Sequence, residues 1–144
     1  MMFASMEHED LESIAALEEK CFIEPWDTED CRRELDENPF SNGWILKQED
    51  KIVAYAFLWE TFEMAQLARI GVDPALRKQG IAKEMMQHLI ERAREAGCEF
   101  MTLEVRQSNV AARHLYEGCE FIQVNVSKGY YPNGEDAIVM TKAL

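Results

Sequence analysis

Two stretches of this 144-residue chain carry residue types whose spacing could do chemistry. In the first, Ile70-Gly71-Val72-Asp73-Pro74 reads as the end of a strand, Arg77-Lys78-Gln79-Gly80 as a short basic loop, and Ile81-Ala82-Lys83 as the start of a helix. Backbone N–H groups converge at such a strand-to-helix turn with the positive end of the helix dipole, which makes an anion site. Gly80 lets an anion approach the backbone closely, and Arg77, Lys78 and Lys83 add positive charge, so the loop suits a pyrophosphate. Neither a G-x-G-x-x-G dinucleotide loop nor a Walker A loop is present. In the second stretch Glu104 falls late in a predicted strand and Tyr116 near the end of the helix that follows. A strand, a tight loop and a returning helix can bring that carboxylate and that phenol to one cleft, where one takes a proton and the other gives one. Taken singly, each feature also has a plain structural reading: a capped helix with solvated basic residues, a salt-bridged edge carboxylate, an aromatic in the core.

The elements that must position these groups follow from periodicity. Leu11, Ile14, Ala15, Leu17 and Glu18 lie on one face of a helix running to Phe22. Pro25 interrupts it, and Asp27 or Thr28 caps a second helix over Thr28 to Glu37, ended by Asn38-Pro39. Trp44-Ile45-Leu46 begins a strand, the Gln48 to Lys51 cluster turns the chain, and Ile52 to Trp59 forms a strand buried on both sides. A third strand covers Met64 to Val72 and a long amphipathic helix Ile81 to Ala96, with Gly97 as its C-terminal stop. A strand over Phe100 to Val105, a helix from Val110 to Glu117, and strands over Phe121 to Ser127 and Ala137 to Thr141 complete the chain. The middle is β-α-β, for which a right-handed crossover between parallel strands is expected. The fold class is therefore α/β (or α+β): one continuous domain over residues 1–144, a central mixed sheet flanked by helices.

Composition narrows the function. Twenty-seven acidic against 15 basic side chains give a formal charge of −12, which argues against direct nucleic-acid binding and allows attraction to a basic partner. The longest apolar run, Ile52 to Trp59, is far shorter than the roughly 20 residues of a membrane span. Met1 to Asp10 holds acidic residues and no Lys or Arg, unlike a secretory signal, so a cytoplasmic protein is expected. Cys21, Cys31, Cys98 and Cys119 form no C-x-x-C pair and cluster with no histidine in sequence, so neither a metal site nor a disulfide framework is expected.

The strand, the Arg77-x-x-Gly80-x-Ala82 loop and the long helix resemble motif A of the GCN5-related N-acetyltransferase (GNAT) superfamily, and Leu103 to Glu117 resembles its motif B. Glu24-Pro25-Trp26, Tyr130-Tyr131-Pro132 and Glu135-Asp136-Ala137 are similar to the flanks of the ribosomal-protein alanine N-acetyltransferase (RimI) group, so the likeness covers nearly the whole chain. The resemblance implies a GNAT-type fold, acetyl-CoA as donor, and direct transfer without an acyl-enzyme or a metal. It implies that Arg77, Lys78, Gln79, Gly80, Ile81, Ala82 and Lys83 hold the pyrophosphate. Ile70, Gly71 and Val72 would bind the pantetheine arm and donate a backbone N–H to the thioester oxygen, and Asn109 would cap its helix and touch the cofactor arm. Glu104 would be the base, through one or more waters, and Tyr116 the acid toward sulfur, with Cys119 mere packing. Glu24, Trp26, Tyr130, Tyr131 and Asp136 would flank the acceptor, by expectation the N-terminal alanine of the basic ribosomal protein S18. A lysine side chain or a small amine as acceptor, and a non-catalytic acetyl-CoA-binding role, are the alternatives. One position departs from the family pattern: Glu120 stands where a Gly is common, and a φ above zero there would strain it.

Overall fold

The apolar run at the middle of the chain lies at the middle of the sheet. A computed structural model, describing residues 1–144, shows four helices and seven strands: β1 (Met2–Ser5), α1 (Leu11–Cys21), α2 (Thr28–Glu37), β2 (Ser41–Gln48), β3 (Lys51–Thr61), β4 (Met64–Val72), α3 (Ile81–Glu95), β5 (Phe100–Arg106), α4 (Val110–Gly118), β6 (Ile122–Ser127) and β7 (Ala137–Ala143). They form one mixed sheet in the order β1-β2-β3-β4-β5-β7-β6. Only the β4–β5 pair is parallel, with α3 as its crossover.

In β3, Ala54, Ala56 and Leu58 pack with Met85, Leu89 and Met101 on the α3 side, while Tyr55 and Phe57 pack with Ile14, Leu17 and Cys31 on the α1–α2 side. Continuous apolar sequence is what a strand covered on both faces requires, because neither side chain of an alternating pair meets water. At about 25 cal/mol per Å² of apolar surface, the two layers supply most of the driving force.

Local signals set the ends of the elements. The β2–β3 hairpin turns through Glu49 and Asp50, both at positive φ (51° and 65°), in a two-residue connection that follows the strand twist. Asp27, rather than Thr28, caps α2, accepting the Asp30 N–H at 2.8 Å while Asp30 returns the bond to the Asp27 N–H at 3.0 Å. Gly97 (φ 88°) ends α3. Two expectations are corrected: β2 begins at Ser41 rather than Trp44, and the first third, read as helical, also contains β1. Four residues are too few to show a period. What makes them a strand is tertiary, since Phe3 pairs with Leu46 across the ladder and stacks between Trp44 and His88. No helix is long and apolar enough to cross a membrane.

Glu120 sits at φ 71° between α4 and Phe121, so the turn keeps the left-handed conformation that its usual glycine would adopt freely. Its side chain is exposed. Replacing Glu120 by Gly raises the unfolding free energy by about 0.5–1 kcal/mol, the relieved strain less the extra entropy of glycine in the unfolded chain. Urea denaturation of the two proteins measures it, and an unmoved midpoint would show that the strain is no larger than the entropy cost of glycine.

Candidate active site

The parallel ladder between β4 and β5 stops before either strand does. Pairing runs from Met64–Phe100 to Leu67–Leu103, yet β4 continues to Val72 and β5 to Arg106. The cause is on the other side of β4: its register against β3 passes from Leu58–Leu67 to Phe57–Arg69, leaving Ala68 unopposed. A bulge of this kind bends and twists its strand, here carrying the end of β4 away from β5. Between the two lies a cleft of about 770 Å³.

Glu104, Asn109 and Tyr116 all line this cleft. Glu104 is exposed on β5 between buried Leu103 and Val105, its backbone held opposite Val139 of β7. Asn109 caps α4, its Oδ1 accepting the Ala112 N–H at 3.1 Å, and so directs the helix back across the opening. Tyr116 is 6% exposed, with its ring 6.0 Å from that of Phe121. Burial pushes its phenol up to about 12, with smaller contributions from Cys119 and Tyr131, so it stays protonated at neutral pH.

The basic loop lies outside the cleft lining, at the far end of β4. Buried Asp73 starts it, accepting the Ala75 N–H at 3.0 Å in the short 3-10 turn Pro74–Leu76. Lys78 and Gly80 both take positive φ (66° and 77°), and Gly80 caps α3 with no side chain over the first-turn N–H groups. No atom lies within 4 Å of where a Gly80 Cβ would be, so the backbone there is open to a ligand. Arg77, Lys78, Gln79 and Lys83 are exposed and Ala82 half-buried, while the Ile81 side chain belongs to the core and leaves only its backbone for binding. Ile70, Gly71 and Val72 join loop and cleft, with Ile70 on the cleft wall. A Cβ on Gly71 would lie 2.5 Å from the Tyr55 ring, so that position accepts no side chain.

The outer walls are the α1–α2 loop, with Phe22, Glu24 and Trp26, and the β6–β7 connection, with Tyr130, Tyr131 and Pro132. Arg106 stacks 3.9 Å from the Tyr131 ring and reaches Glu135, whose carboxylate also takes the Ser108 N–H at 2.7 Å. The Glu104 carboxylate holds the Tyr130 phenol above its usual range, and burial followed by Glu104 does the same for Tyr131. Asp136 is not brought to the cleft; its carboxylate accepts the Gly129 N–H at 2.9 Å and its carbonyl the Gln107 N–H at 3.2 Å, which fixes the connection in place. Four charged residues line the cleft: Glu24, Arg69, Glu104 and Arg106. Arg69 is paired with Glu18 at 2.7 Å and Arg106 with Glu135 at 3.3 Å, so the charges left over are two carboxylates. All four cysteines are free thiols; Cys21 alone lines the cleft, where it donates to the Val72 carbonyl and burial raises its pKa. Burial raises Cys119 as well, which keeps it a poor nucleophile.

Arg69 and Glu18 were not among the sequence candidates. The signal was present, since Glu18 stands in the apolar stripe of α1, where a carboxylate has to find a partner. Which partner depends on the Ala68 bulge, and no sequence period reports a bulge.

The sequence profile described as the acetyltransferase (GNAT) family matches residues 11–121. The ribosomal protein bS18-alanine N-acetyltransferase of Escherichia coli strain K12 is 32% identical over 140 residues, 95% of this chain and 93% of that protein. The crystal structure of the ribosomal-protein-S18-alanine N-acetyltransferase from Escherichia coli superposes with a TM-score of 0.91 at 31% identity, covering 99% of this chain and 92% of the other. A chain from the crystal structure of the NatC complex bound to Gag peptide and CoA shares the fold at 21% identity, with a TM-score of 0.85 over 99% and 98% of the two chains. With three quarters of its length inside the family profile and close to a third of its residues identical to a full-length relative, the chain belongs to the acetyltransferase (GNAT) family.

Proposed function

We propose that this protein transfers an acetyl group from acetyl-CoA directly to the N-terminal α-amine of a protein with a basic leading segment, the N-terminal alanine of ribosomal protein S18, in the cytoplasm. The observation that carries the reading is a single cleft holding an exposed carboxylate and a protonated buried phenol, with two unpaired carboxylates as its net charge. The similarity to the Escherichia coli ribosomal protein bS18-alanine N-acetyltransferase supports the acceptor.

The acceptor arrives as an ammonium and must lose a proton before its nitrogen can attack. Glu104 takes that proton through water. The new C–N bond forms as the C–S bond breaks, and Tyr116 supplies a proton to the departing thiolate. A phenol near 12 is a weaker acid than free tyrosine, but it is present wholly as the donor at neutral pH. The free edge of β4 beyond Ala68 offers backbone N–H groups to the pantetheine arm and, as charge develops, to the carbonyl oxygen of the acetyl group. The exposed N–H groups and cations from Arg77 to Lys83 suit the pyrophosphate. Glu24 and Glu104 favour a cationic amine over an anionic group, and Trp26, Tyr130 and Tyr131 supply flat surfaces for a short peptide.

The acceptor is tested by incubating the protein with acetyl-CoA and three amines: a peptide beginning Ala-Arg-Tyr, the same peptide blocked at its N-terminus but carrying a lysine, and a polyamine. The free N-terminus is acetylated fastest; preference for the blocked peptide or the polyamine sinks the reading. For the acid, Tyr116→Phe lowers kcat by about 10²-fold or more while acetyl-CoA still binds. The unsubstituted enzyme keeps its turnover through about pH 10, where an ordinary tyrosine would be half deprotonated, because Tyr116 loses its proton only toward 12. A rate unchanged by the substitution would reduce Tyr116 to packing. Gly80→Phe puts a β-carbon at φ 77° and a ring over the loop, and weakens acetyl-CoA binding by at least about tenfold in a calorimetric titration; wild-type affinity would remove the loop from the site.

A further inference from the structure

Glu18 is a fully buried carboxylate to which no step above gives a task. Its Oε1 accepts Arg69 Nη2 at 2.7 Å and the Trp26 backbone N–H at 2.8 Å; Arg69 Nε lies 3.2 Å from both oxygens; and Oε2 accepts the Tyr55 hydroxyl. Taking a carboxylate out of water is costly unless its lone pairs are filled, and here four donors from three segments fill them.

Past Glu18, the hydrogen bond and the two stacking contacts of the Arg69 guanidinium all go to one stretch of chain. Nη2 donates to the Glu24 carbonyl at 3.1 Å, and the guanidinium stacks 3.8 Å from the Phe22 ring and 4.6 Å from that of Trp26. That stretch, the α1–α2 loop, is one outer wall of the cleft. Its ends also pack on the α1-side core, Phe22 and Trp26 against that cluster with the Trp26 ring 5.4 Å from that of Phe57, but its middle has little to hold it. Ile23, Glu24 and Pro25 are exposed, Ile23 at 91%, and no backbone-to-backbone hydrogen bond closes the loop between the Phe22 N–H, which ends α1, and Asp27, which begins α2. A segment with so few buried contacts opens readily unless side chains pin it. Arg69 is directly opposite Phe57, on the face of the sheet that packs α1, and immediately follows the bulged Ala68. The distortion that opens the cleft therefore also presents the residue that fastens its wall.

We propose that Arg69, oriented by the buried Glu18 carboxylate, is the positioning residue that fixes the Phe22–Trp26 wall of the cleft and thereby sets the affinity for the amine-bearing peptide. Arg69 does no proton transfer. Its guanidinium is neutralised by Glu18, so it adds no repulsion toward an arriving ammonium, and its rigid planar fork serves the two Glu18 oxygens and the Glu24 carbonyl together, which a lysine cannot do. The inference rests on the peptide-acceptor reading for its consequence and on the loop geometry alone for its structural part.

Two variants and two readouts test it. Arg69→Met removes every contact; Arg69→Lys keeps a cation against Glu18, so the chain stays folded, but gives up the fork and the stacking. In steady-state kinetics with the Ala-Arg-Tyr peptide, KM for the peptide rises about tenfold or more in Arg69→Met, the effect of losing hydrogen bonds to a charged group. It rises by a smaller factor in Arg69→Lys, with KM for acetyl-CoA within about twofold in both. Hydrogen exchange, which needs no acceptor, shows faster exchange of the Trp26 amide in both variants while β3 and β4 keep their protection. A folded variant with unchanged peptide KM and a still-protected Trp26 amide overturns the proposal, as does an equal loss for both substrates together with lost protection in β3 and β4, which would mark a purely structural pair. Failure of the unsubstituted protein to acetylate the peptide would overturn the acceptor reading instead, and the exchange result would still decide whether Arg69 holds the wall.

Discussion

One residue too many in β4 shapes the site. Ala68 has no partner in β3, and at that point β4 leaves its ladder with β5. A strand inside a sheet normally spends its N–H and C=O groups on both neighbours, and leaving them unpaired in a dry interior would cost about 1–3 kcal/mol for each group. The bend avoids this by opening the gap, which leaves the edge of β4 free to pair with an extended molecule. The cleft, the Glu104 carboxylate and Tyr116 phenol that line it, and the unpaired backbone groups on its β4 side are consequences of that single irregularity.

The parallel arrangement adds a second constraint. Because β4 and β5 run the same way, α3 must cross over between them, and it starts at the loop that ends β4. The dipole of a 15-residue helix and its open first-turn N–H groups therefore lie at one end of the free β4 edge. An anionic group on a long flexible arm fits this layout, with charge at the helix end and the reactive end between the strands. The same connectivity explains why Tyr116 can be buried and still face the cleft: α4 is capped by Asn109 just past the end of β5 and returns over the gap rather than over the closed part of the sheet.

Much of this was legible in the residues. The unbroken apolar character and length of Ile52 to Trp59, the Gly80 loop, Gly97 after α3 and the Asp27 cap each carry a local physical cause that survives without tertiary context. Glu104 and Tyr116 could be assigned to one cleft because a strand, a turn and a helix leave few other arrangements, and Asn109 could be assigned as the cap of that helix. What could not be read is what long-range contacts decide. Strand β1 exists because Phe3 stacks on Trp44 and His88, residues far along the chain. Asp136 has the chemistry of an acceptor ligand and instead satisfies the Gly129 N–H, a choice set by the shape of the β6–β7 connection. Glu18 was counted with the apolar face of α1, and only the bulge at Ala68 supplies the cation that explains a carboxylate there.

The charge of −12 acquires a different meaning once its distribution is known. At physiological ionic strength fields decay over about 8 Å, so the overall negative charge would neither repel a pyrophosphate at Arg77, Lys78 and Lys83 nor by itself draw an amine into the cleft. Local groups make both decisions. The loop is positive on the outside of α3, while in the cleft the arginines are cancelled by Glu18 and Glu135 and the carboxylates of Glu24 and Glu104 are not. Pairing each cleft arginine with an acid is what permits guanidinium groups, with their stacking surfaces and fixed forks, to build a binding site for a cation without opposing it. An unpaired Arg69 or Arg106 would stand as a like charge toward an arriving ammonium, so on the proposed reading the two ion pairs set the sign of the site.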